Sequence, residues 1–335
     1  MRKRFSFFLN FCALLSGVIG AGFATGQELY VYFDKKNPIF VGLCCAFFYF
    51  CFFLAAIKAD DFFKRAEGKG RVLVFAKKFM RCLTLFSCLV VLCVMIAGVK
   101  ATLYELISDK TTVAVTGVLT ALFCVFLVCF DKKGFQTVGV FFTPVVIGCL
   151  LFLFAKTSPV ATGELRGSVK SSFLYASLNS IFLTTFVADA CNGYAKGMKT
   201  AFCLVSALAC RGVVTLAASC VTKSGYVEIP LVKLAYESGV FGKIYCIVVL
   251  LGIVTTVCAS ALPLAEEINR RVNCRFLSVV LLFGFCQTVS FAGFSHLVKY
   301  CYPAISVLGV ALLGFTLFCT VKYREKREKA FNFSI

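Results

Sequence analysis

Apolar stretches of about 20 residues, the length that a helix needs to cross a membrane, follow one another along the chain. Short polar or charged segments separate them. The pattern predicts an all-α integral membrane protein with a single transmembrane domain of about ten helices. The predicted spans are 5–33, 38–57, 80–100, 111–130, 135–156, 172–194, 201–221, 243–263, 276–295 and 299–321.

The first span differs from the others because its middle is rich in glycine. The segment from Gly17 to Glu28 reads GVIGAGFATGQE and carries four glycines and a carboxylate. A helix break at this depth is tolerated only where protein or a water-filled cavity takes up the freed backbone groups. Such breaks form binding sites in secondary transporters, so the segment predicts a discontinuous first helix. The alternative is that the glycines let a neighbouring helix approach closely.

The spacing of the spans indicates an internal repeat. Spans two to five begin 163 to 165 residues before spans seven to ten. Because five is an odd number, the second copy enters the membrane from the opposite side, as in transporters with inverted repeats. We therefore expect two five-helix halves, 5–156 and 172–321, followed by a short basic cytoplasmic tail, 322–335.

The same offset carries the glycine-rich segment onto residues 184–186 of span six. The repeat thus predicts that helix 6 is discontinuous as well. The alternative is that hydroxyl groups bond to carbonyls of their own helix and leave it intact. The polar residues that interrupt this span are Asn179, Ser180, Thr184, Thr185 and Asp189.

The composition excludes a soluble fold, since 60% of the residues are hydrophobic and the mean hydropathy is +0.91. The net charge of +19 lies in short loops, which suits membrane lipid and topology rather than nucleic acid. Placing both termini in the cytoplasm, in a protein of the cell membrane, puts 23 Lys and Arg inside and 11 outside. The basic N-terminus imitates a signal peptide, but the apolar run continues to Phe33 and favours an uncleaved span. The 20 cysteines are expected to be small buried side chains.

The motif GAGFATGQE at residues 20–28, with the aromatic end YVYF, resembles the first span of the YkvI-like family of bacterial membrane proteins. That family looks like a branch of the amino acid–polyamine–organocation superfamily, which has the LeuT-type fold of five plus five helices. The resemblance implies transport, with the backbone amides of Gly20, Ala21 and Gly22 binding a substrate carboxylate. The other expected substrate-binding residues are Thr25, Asn179, Ser180 and Thr184.

The same resemblance implies a sodium site in the coupled members. The carbonyls of Ser16 and Ile19 would face the ion, and span eight offers Gly252, Thr255 and Thr256 as partners. The spacing places these three residues on one helical face, and hydroxyl and carbonyl oxygens suit a hard cation. The alternative is ordinary helix packing at this face.

Three charged residues are candidates for coupling or gating. Arg211 lies near the middle of span seven, where it needs a partner, and Asp189 and Glu28 are the candidates. The alternative is that Arg211 lies nearer the cytoplasm and snorkels out. Glu28 is expected to line the outward vestibule or to bind protons, unless it is a solvated carboxylate at a helix end.

The connection between spans seven and eight predicts a short outer helix. Pro230 suits a first helical position and Gly239 suits a C-terminal cap. The resemblance favours a lid that closes over the outer vestibule. The alternative is a helix that rests on the membrane surface.

Together these features predict a secondary transporter of a small amino acid or amine, coupled to a sodium or proton gradient. The alternative is a membrane ligand sensor on the same scaffold, like the membrane subunits of spore germinant receptors. The chain lacks the GxxxxGK[ST], HExxH and GxSxG motifs, so we do not expect an enzyme. We expect a small-molecule solute and membrane lipid as partners, and no cofactor other than a sodium ion acting as the coupling ion.

Overall fold

A computed structural model describes residues 2–65, 71–107, 109–130, 134–157, 163–224 and 227–332. The regular structure in these ranges is helical, apart from one isolated bridge between Lys36 and Glu164. The helices are α1 (Arg2–Val18), α2 (Ala21–Thr25), α3 (Gln27–Phe33), α4 (Pro38–Arg65), α5 (Arg71–Ile107), α6 (Lys110–Phe130), α7 (Gly134–Thr157), α8 (Ser168–Ala190), α9 (Lys196–Ser224), α10 (Pro230–Tyr236), α11 (Val240–Val272), α12 (Arg275–Val289) and α13 (Phe294–Asn332), with a short 3-10 turn at Ser290–Ala292.

Seven of the described helices are long and apolar enough to cross a membrane, namely α4, α5, α6, α9, α11, α12 and α13. Large apolar side chains on these helices are exposed, among them Leu119, Leu251 and Phe285. Because hydrocarbon is a suitable solvent for such faces and water is not, the protein is a multi-pass membrane protein. The remaining predicted spans also coincide with helical segments, which are α1–α3, α7 and α8.

The first span is interrupted twice, as its glycines predict. The N–H of Ile19 donates to the Leu15 carbonyl at 2.7 Å, and Gly20 then adopts an extended conformation with φ −71° and ψ 177°. A second interruption follows at Gly26, whose φ of 81° lies in the left-handed region that favours glycine. Gly26 caps α2 by donating its N–H to the Phe23 carbonyl at 3.0 Å. The break in the first helix is therefore confirmed.

The predicted break in span six is wrong, because α8 runs without interruption from Ser168 to Ala190. This segment contains neither glycine nor proline, so no residue in it frees the backbone from its helical bonds. The Ser180 hydroxyl donates to the Ser177 carbonyl at 2.7 Å, inside the same helix. For Ser180 and Asn179, bonding to carbonyls of their own helix, the alternative interpretation, holds.

The last helix, α13, does not stop at residue 321, where the last predicted span ends, but continues to Asn332. Lys, Arg and Glu, which make up much of this segment, are good helix formers. Hydropathy marks where a helix leaves the apolar region and not where the helix ends, so a cytoplasmic tail at 322–335 stays a prediction.

The centre of the bundle is formed by helices from both halves of the chain. Helix α4 packs on α8 and α9, α5 packs along α11, and α13 packs on both α8 and α5. The α1 helix rests on α7, α8 and α9. Tyr49, Tyr175 and Tyr245 are fully buried in this region. Residues 21–29, which contain the second interruption and follow the first, are buried in protein, as the freed backbone groups require.

Both ends of the bundle are tied by polar contacts. We call the end that carries α10 the lid end and the opposite end the tail end. At the lid end, Lys36 pairs with Glu164 at 3.7 Å. At the tail end, Glu267 pairs with Arg81 and with Arg270. Exposed ion pairs of this kind contribute little to stability.

The close approach of α13 to α8 generates a prediction at Gly309. An added β-carbon there would lie 2.5 Å from the Ser177 carbonyl oxygen, so Gly309→Ala forces the two helices apart. We expect a loss of about 1–3 kcal/mol in the free energy of unfolding, measured by thermal unfolding in detergent. Gly314→Ala on the same helix is the control, because no atom lies within 4 Å of its added carbon. Equal stability of the two variants would contradict the packing described here.

Candidate functional site

The break between α1 and α2 leaves free space on one side of the first span. Gly20 is half-buried, and an added β-carbon there would meet no atom within 4 Å, whereas residues 21–29 are all buried. The first N–H groups of a helix have no acceptor in that helix. The N–H of Ala21 finds one outside it, the hydroxyl of Thr256 on α11 at 3.4 Å. The break therefore places backbone donors beside open space.

Some of the residues expected to hold sodium lie close to this break. The hydroxyls of Thr255 and Thr256 are half-buried, and both donate to the Gly252 carbonyl, at 2.8 and 2.9 Å. Thr256 reaches the first span, as described above. Ser16 is half-buried on α1, and Ile19 is buried just before the break. The structure thus brings the Thr256 hydroxyl and the broken helix together.

Glu28 is buried and lies against the second segment of the broken helix. Its carboxylate oxygen contacts the position that a β-carbon of Gly22 would occupy, and the Tyr302 hydroxyl lies 3.1 Å from the same position. Only 6% of Glu28 is exposed, so the solvated helix-end interpretation is wrong. Thr25 is also buried, and its hydroxyl donates to the Gly22 carbonyl at 2.8 Å, which satisfies one freed backbone group.

The span-six candidates take different positions. Asn179 is buried and donates its side-chain amide to the Tyr49 hydroxyl at 2.9 Å and to the Tyr175 carbonyl at 3.2 Å. Ser180 is buried and bonds within its own helix. The side chain of Thr184 lies outside the described residues. Asn179 therefore contacts Tyr49 and the backbone of Tyr175. The Ser180 hydroxyl is already bonded within α8.

Arg211 does not pair with either expected partner. Among the described residues, no ion pair joins it to Asp189 or to Glu28. Asp189 is exposed at the end of α8, which places it outside the site. Arg211 is half-buried on α9, and its carbonyl approaches Gly42 of α4. A role for Arg211 in coupling stays a prediction.

The short outer helix is confirmed as α10, with Pro230 in its first turn. Gly239 follows it with a φ of 69°. The helix is largely buried and packs directly on the second interruption of the first span. The Leu231 side chain would lie 2.7 Å from a β-carbon added at Gly26. This packing contradicts a helix that merely rests on the membrane surface.

Gln27 joins the first span to the segment before α10. Its side-chain amide lies 3.2 Å from the Ser295 hydroxyl. With the amide nitrogen turned to the other side, it donates to the carbonyls of Val227 and Glu228 at 3.0 and 3.1 Å, and its oxygen accepts from Ser295. This orientation satisfies every partner, so we adopt it. One buried side chain thus connects the first span to the segment before α10 and to Ser295.

A cavity of about 380 Å³ opens beside α10, and none of its lining residues belongs to the first span. Its lining residues are Phe152, Lys156, Thr157, Lys223, Leu234, Glu237 and Ser238. The Tyr236 hydroxyl at the end of α10 donates to the Glu105 carbonyl at 3.1 Å, and burial raises the pKa of Tyr236. The part of the chain that the structure describes holds no group of three or more His, Cys, Asp or Glu side chains arranged for a metal ion.

Sequence reasoning missed the contribution of Gln27 and of the tyrosines around Glu28. These tyrosines are Tyr32, Tyr49, Tyr175 and Tyr302, and they come from four different helices. Gln27 stands inside the first-span motif, so its position was a usable signal. The tyrosines carry no such signal, because only the rotation of each helix brings them together.

The overall fold is similar to that of solved membrane transporters. Three structures of the manganese transporter of Eremococcus coleocola match with TM-scores of 0.52 to 0.53 and 10–11% identity, covering 93% of this chain and 76% of the transporter chain. They are a histidine-to-alanine variant, a complex with an aromatic bis-isothiourea compound and a glutamate-to-alanine variant. No protein-family model and no curated protein sequence matches the chain. At this identity the likeness establishes the fold alone.

The two glycines at the break differ in a way that can be measured. Gly20→Ala is expected to keep the wild-type stability, because its new carbon enters open space. Gly22→Ala displaces the Glu28 carboxylate and is expected to lower the free energy of unfolding by about 1–3 kcal/mol. Thermal unfolding of both variants in detergent checks this. A destabilised Gly20→Ala together with an unaffected Gly22→Ala would place the open side of the break elsewhere.

Proposed function

We propose that this protein is a secondary transporter that binds a small amino acid or amine at the break of its first helix and works by alternating access. The observation that carries the proposal is the interrupted first span, buried in the bundle, with donors beside open space at Gly20. Interruptions at membrane depth are costly unless they line a site. The likeness to the fold of transporters supports the same conclusion.

The packing of the helices supports a five-plus-five arrangement. Under the predicted repeat, α4 corresponds to α9, α5 to α11, and α6 to α12. Each of these pairs is in contact. Contact between corresponding helices is what a two-fold axis through the centre produces, and the site then lies between the halves. The continuous α8 departs from the pattern by lacking the second break.

The chemistry of the break favours a solute with a carboxylate. Backbone N–H donors at a helix start attract an anionic group. Manganese is the cargo named for the Eremococcus coleocola protein, and a divalent cation takes carboxylate, carbonyl or water oxygens. A helix start offers backbone hydrogen-bond donors, which cannot coordinate such an ion. We therefore propose an organic solute instead.

The polar contacts at both ends of the first span support alternating access. At the tail end, the Asn10 amide donates to the Ala190 carbonyl at 3.1 Å and to the Tyr194 hydroxyl at 3.2 Å. At the lid end, Gln27 holds the segment before α10. Each contact joins one half of the broken helix to a different neighbour, so each half can be released separately. The lid end is the predicted extracellular side.

One measurement distinguishes a transporter from the alternative, a ligand sensor. Proteoliposomes loaded with unlabelled substrate accumulate labelled substrate only if the protein exchanges it across the membrane. A sensor binds the same compound without exchange. Binding without counterflow would therefore reject transport and keep the site.

A screen of amino acids and amines by thermal stability tests the site. A ligand that binds the folded form stabilises it by mass action, by about 2.7 kcal/mol at one hundred times its dissociation constant. Gly20→Val is expected to abolish that stabilisation, because its side chain fills the open side of the break. Gly284→Val on α12, where the added carbon also meets open space, is the control. Ligand binding that survives in Gly20→Val would move the site.

A sodium site at the same break is tested through Thr256. The proposed oxygens come from Ser16, Ile19, Gly252, Thr255 and Thr256. If sodium binds there, replacing potassium chloride by sodium chloride raises the unfolding temperature of the wild type. Thr256→Val removes one oxygen of the site, so we expect this sodium-dependent increase to fall by at least half.

The exposed Thr288 of α12 supplies the control, Thr288→Val, which should respond to sodium as the wild type does. An unchanged sodium response in Thr256→Val would place the sodium site elsewhere. No response in the wild type would leave the gradient to protons.

A further inference from the structure

Glu28 is a carboxyl group in an environment that does not suit a charge. It is 94% removed from solvent, and its oxygen packs on Gly22. No Lys, Arg or His of the described residues forms an ion pair with it. Burying an unpaired carboxylate is expensive, so such a group usually becomes neutral instead.

In the part of the chain that the structure describes, the titratable groups around Glu28 are tyrosines. Tyr32 comes from its own helix, Tyr49 from α4, Tyr175 from α8 and Tyr302 from α13. The neighbouring α2 has no titratable side chain, and α10 and α9 bring no cation into ion-pair distance. Neutral hydroxyl groups can donate hydrogen bonds but cannot neutralise a charge.

Tyr175 adds a second observation. Its side chain is completely buried, and its hydroxyl lies beside the Glu28 carboxyl. A phenol hydroxyl can accept a hydrogen bond from a protonated carboxyl or donate one to a carboxylate. Tyr175 can therefore serve both protonation states of Glu28, but it supplies no positive charge.

We propose that Glu28 is a proton-binding site that controls the opening of the lid end. In the closed form described here, the carboxyl carries its proton and stays neutral inside the tyrosine cluster. On opening, the O–H bond breaks, the proton passes to water at the lid end, and the carboxylate is hydrated. Proton return allows the closed form again.

The position of Glu28 explains why its proton would act on the lid. Its chain neighbour Gln27 holds the carbonyls of Val227 and Glu228, which lead into α10. Both residues belong to α3, a helix of only seven residues. It begins directly after Gly26, whose backbone conformation is left-handed. Hydration of a Glu28 carboxylate requires α3 to move, and that movement releases the Gln27 contact.

An ammonium group is the competing occupant, since tyrosine faces and a carboxylate also bind amines. The closed form leaves no room for an ammonium group between the Glu28 carboxyl and α2, because the carboxyl oxygen contacts the position of a Gly22 β-carbon directly. A proton needs no such room. The proposal rests on the proposed function only in taking the lid end to open and close.

Hydrogen–deuterium exchange of the purified full-length protein tests it without any transported solute. At each pH, exchange in the peptides that cover α3 and α10 is compared between wild type and Glu28→Gln, so the chemical exchange rate cancels. If one proton is released on opening, the ratio of wild-type to variant exchange grows by up to about tenfold per pH unit. Glu237→Gln, at an exposed carboxyl beside the lid, should match the wild type.

A ratio that stays constant with pH would overturn the proposal. So would an infrared spectrum in which Glu28→Gln retains every acid carbonyl band that the wild type loses as pH rises. Slower exchange with methylammonium chloride at constant pH, in wild type but not in the variant, would assign the cluster to an amine instead. Absent counterflow with an intact pH response would reject transport and leave the proton site standing.

Discussion

The structure depends on one constraint, which is that backbone hydrogen-bonding groups inside a membrane must find partners within the protein. The first span breaks this rule locally, and its neighbours restore it. Tyr245 donates to the Ala24 carbonyl at 2.7 Å, and Thr256 accepts from the N–H of Ala21. These contacts fix where α11 must lie relative to the broken helix. Helix α10 then packs against α11 and the broken helix, and the tyrosines around Glu28 lie beside the broken helix.

This arrangement explains why few of the freed groups remain available. Thr25 takes the Gly22 carbonyl and Gly26 takes that of Phe23, so the carbonyl side is largely satisfied from within the segment. The side beside Gly20 is not filled by any neighbour. A solute that replaces missing protein contacts there would complete the bonding pattern. Structure and proposed function thus follow from the same requirement.

The fold could be predicted from the sequence where a residue acts alone. Glycines at 20 and 26 and the proline at 230 set local backbone conformation, and the break and the short outer helix were found at these positions. The break predicted in the sixth span was wrong because hydroxyl groups such as that of Ser180 can also bond to carbonyls of an intact helix. The neighbours of Glu28 could not be foreseen. They depend on how four helices rotate about their axes, which a single sequence does not fix.

The bridge at the lid end has a mechanical consequence. Residues 35–37, which follow α3, are bonded to Glu164 by two backbone contacts of 2.8 and 3.2 Å. Glu164 lies four residues before Ser168, the first residue of α8. The Ser168 hydroxyl donates to the Glu164 carbonyl and so connects this bridge to α8. Any displacement of residues 35–37 would therefore pull on the start of α8 through these bonds. The link couples the outer arm of the first span mechanically to the helix that follows Glu164 in the chain.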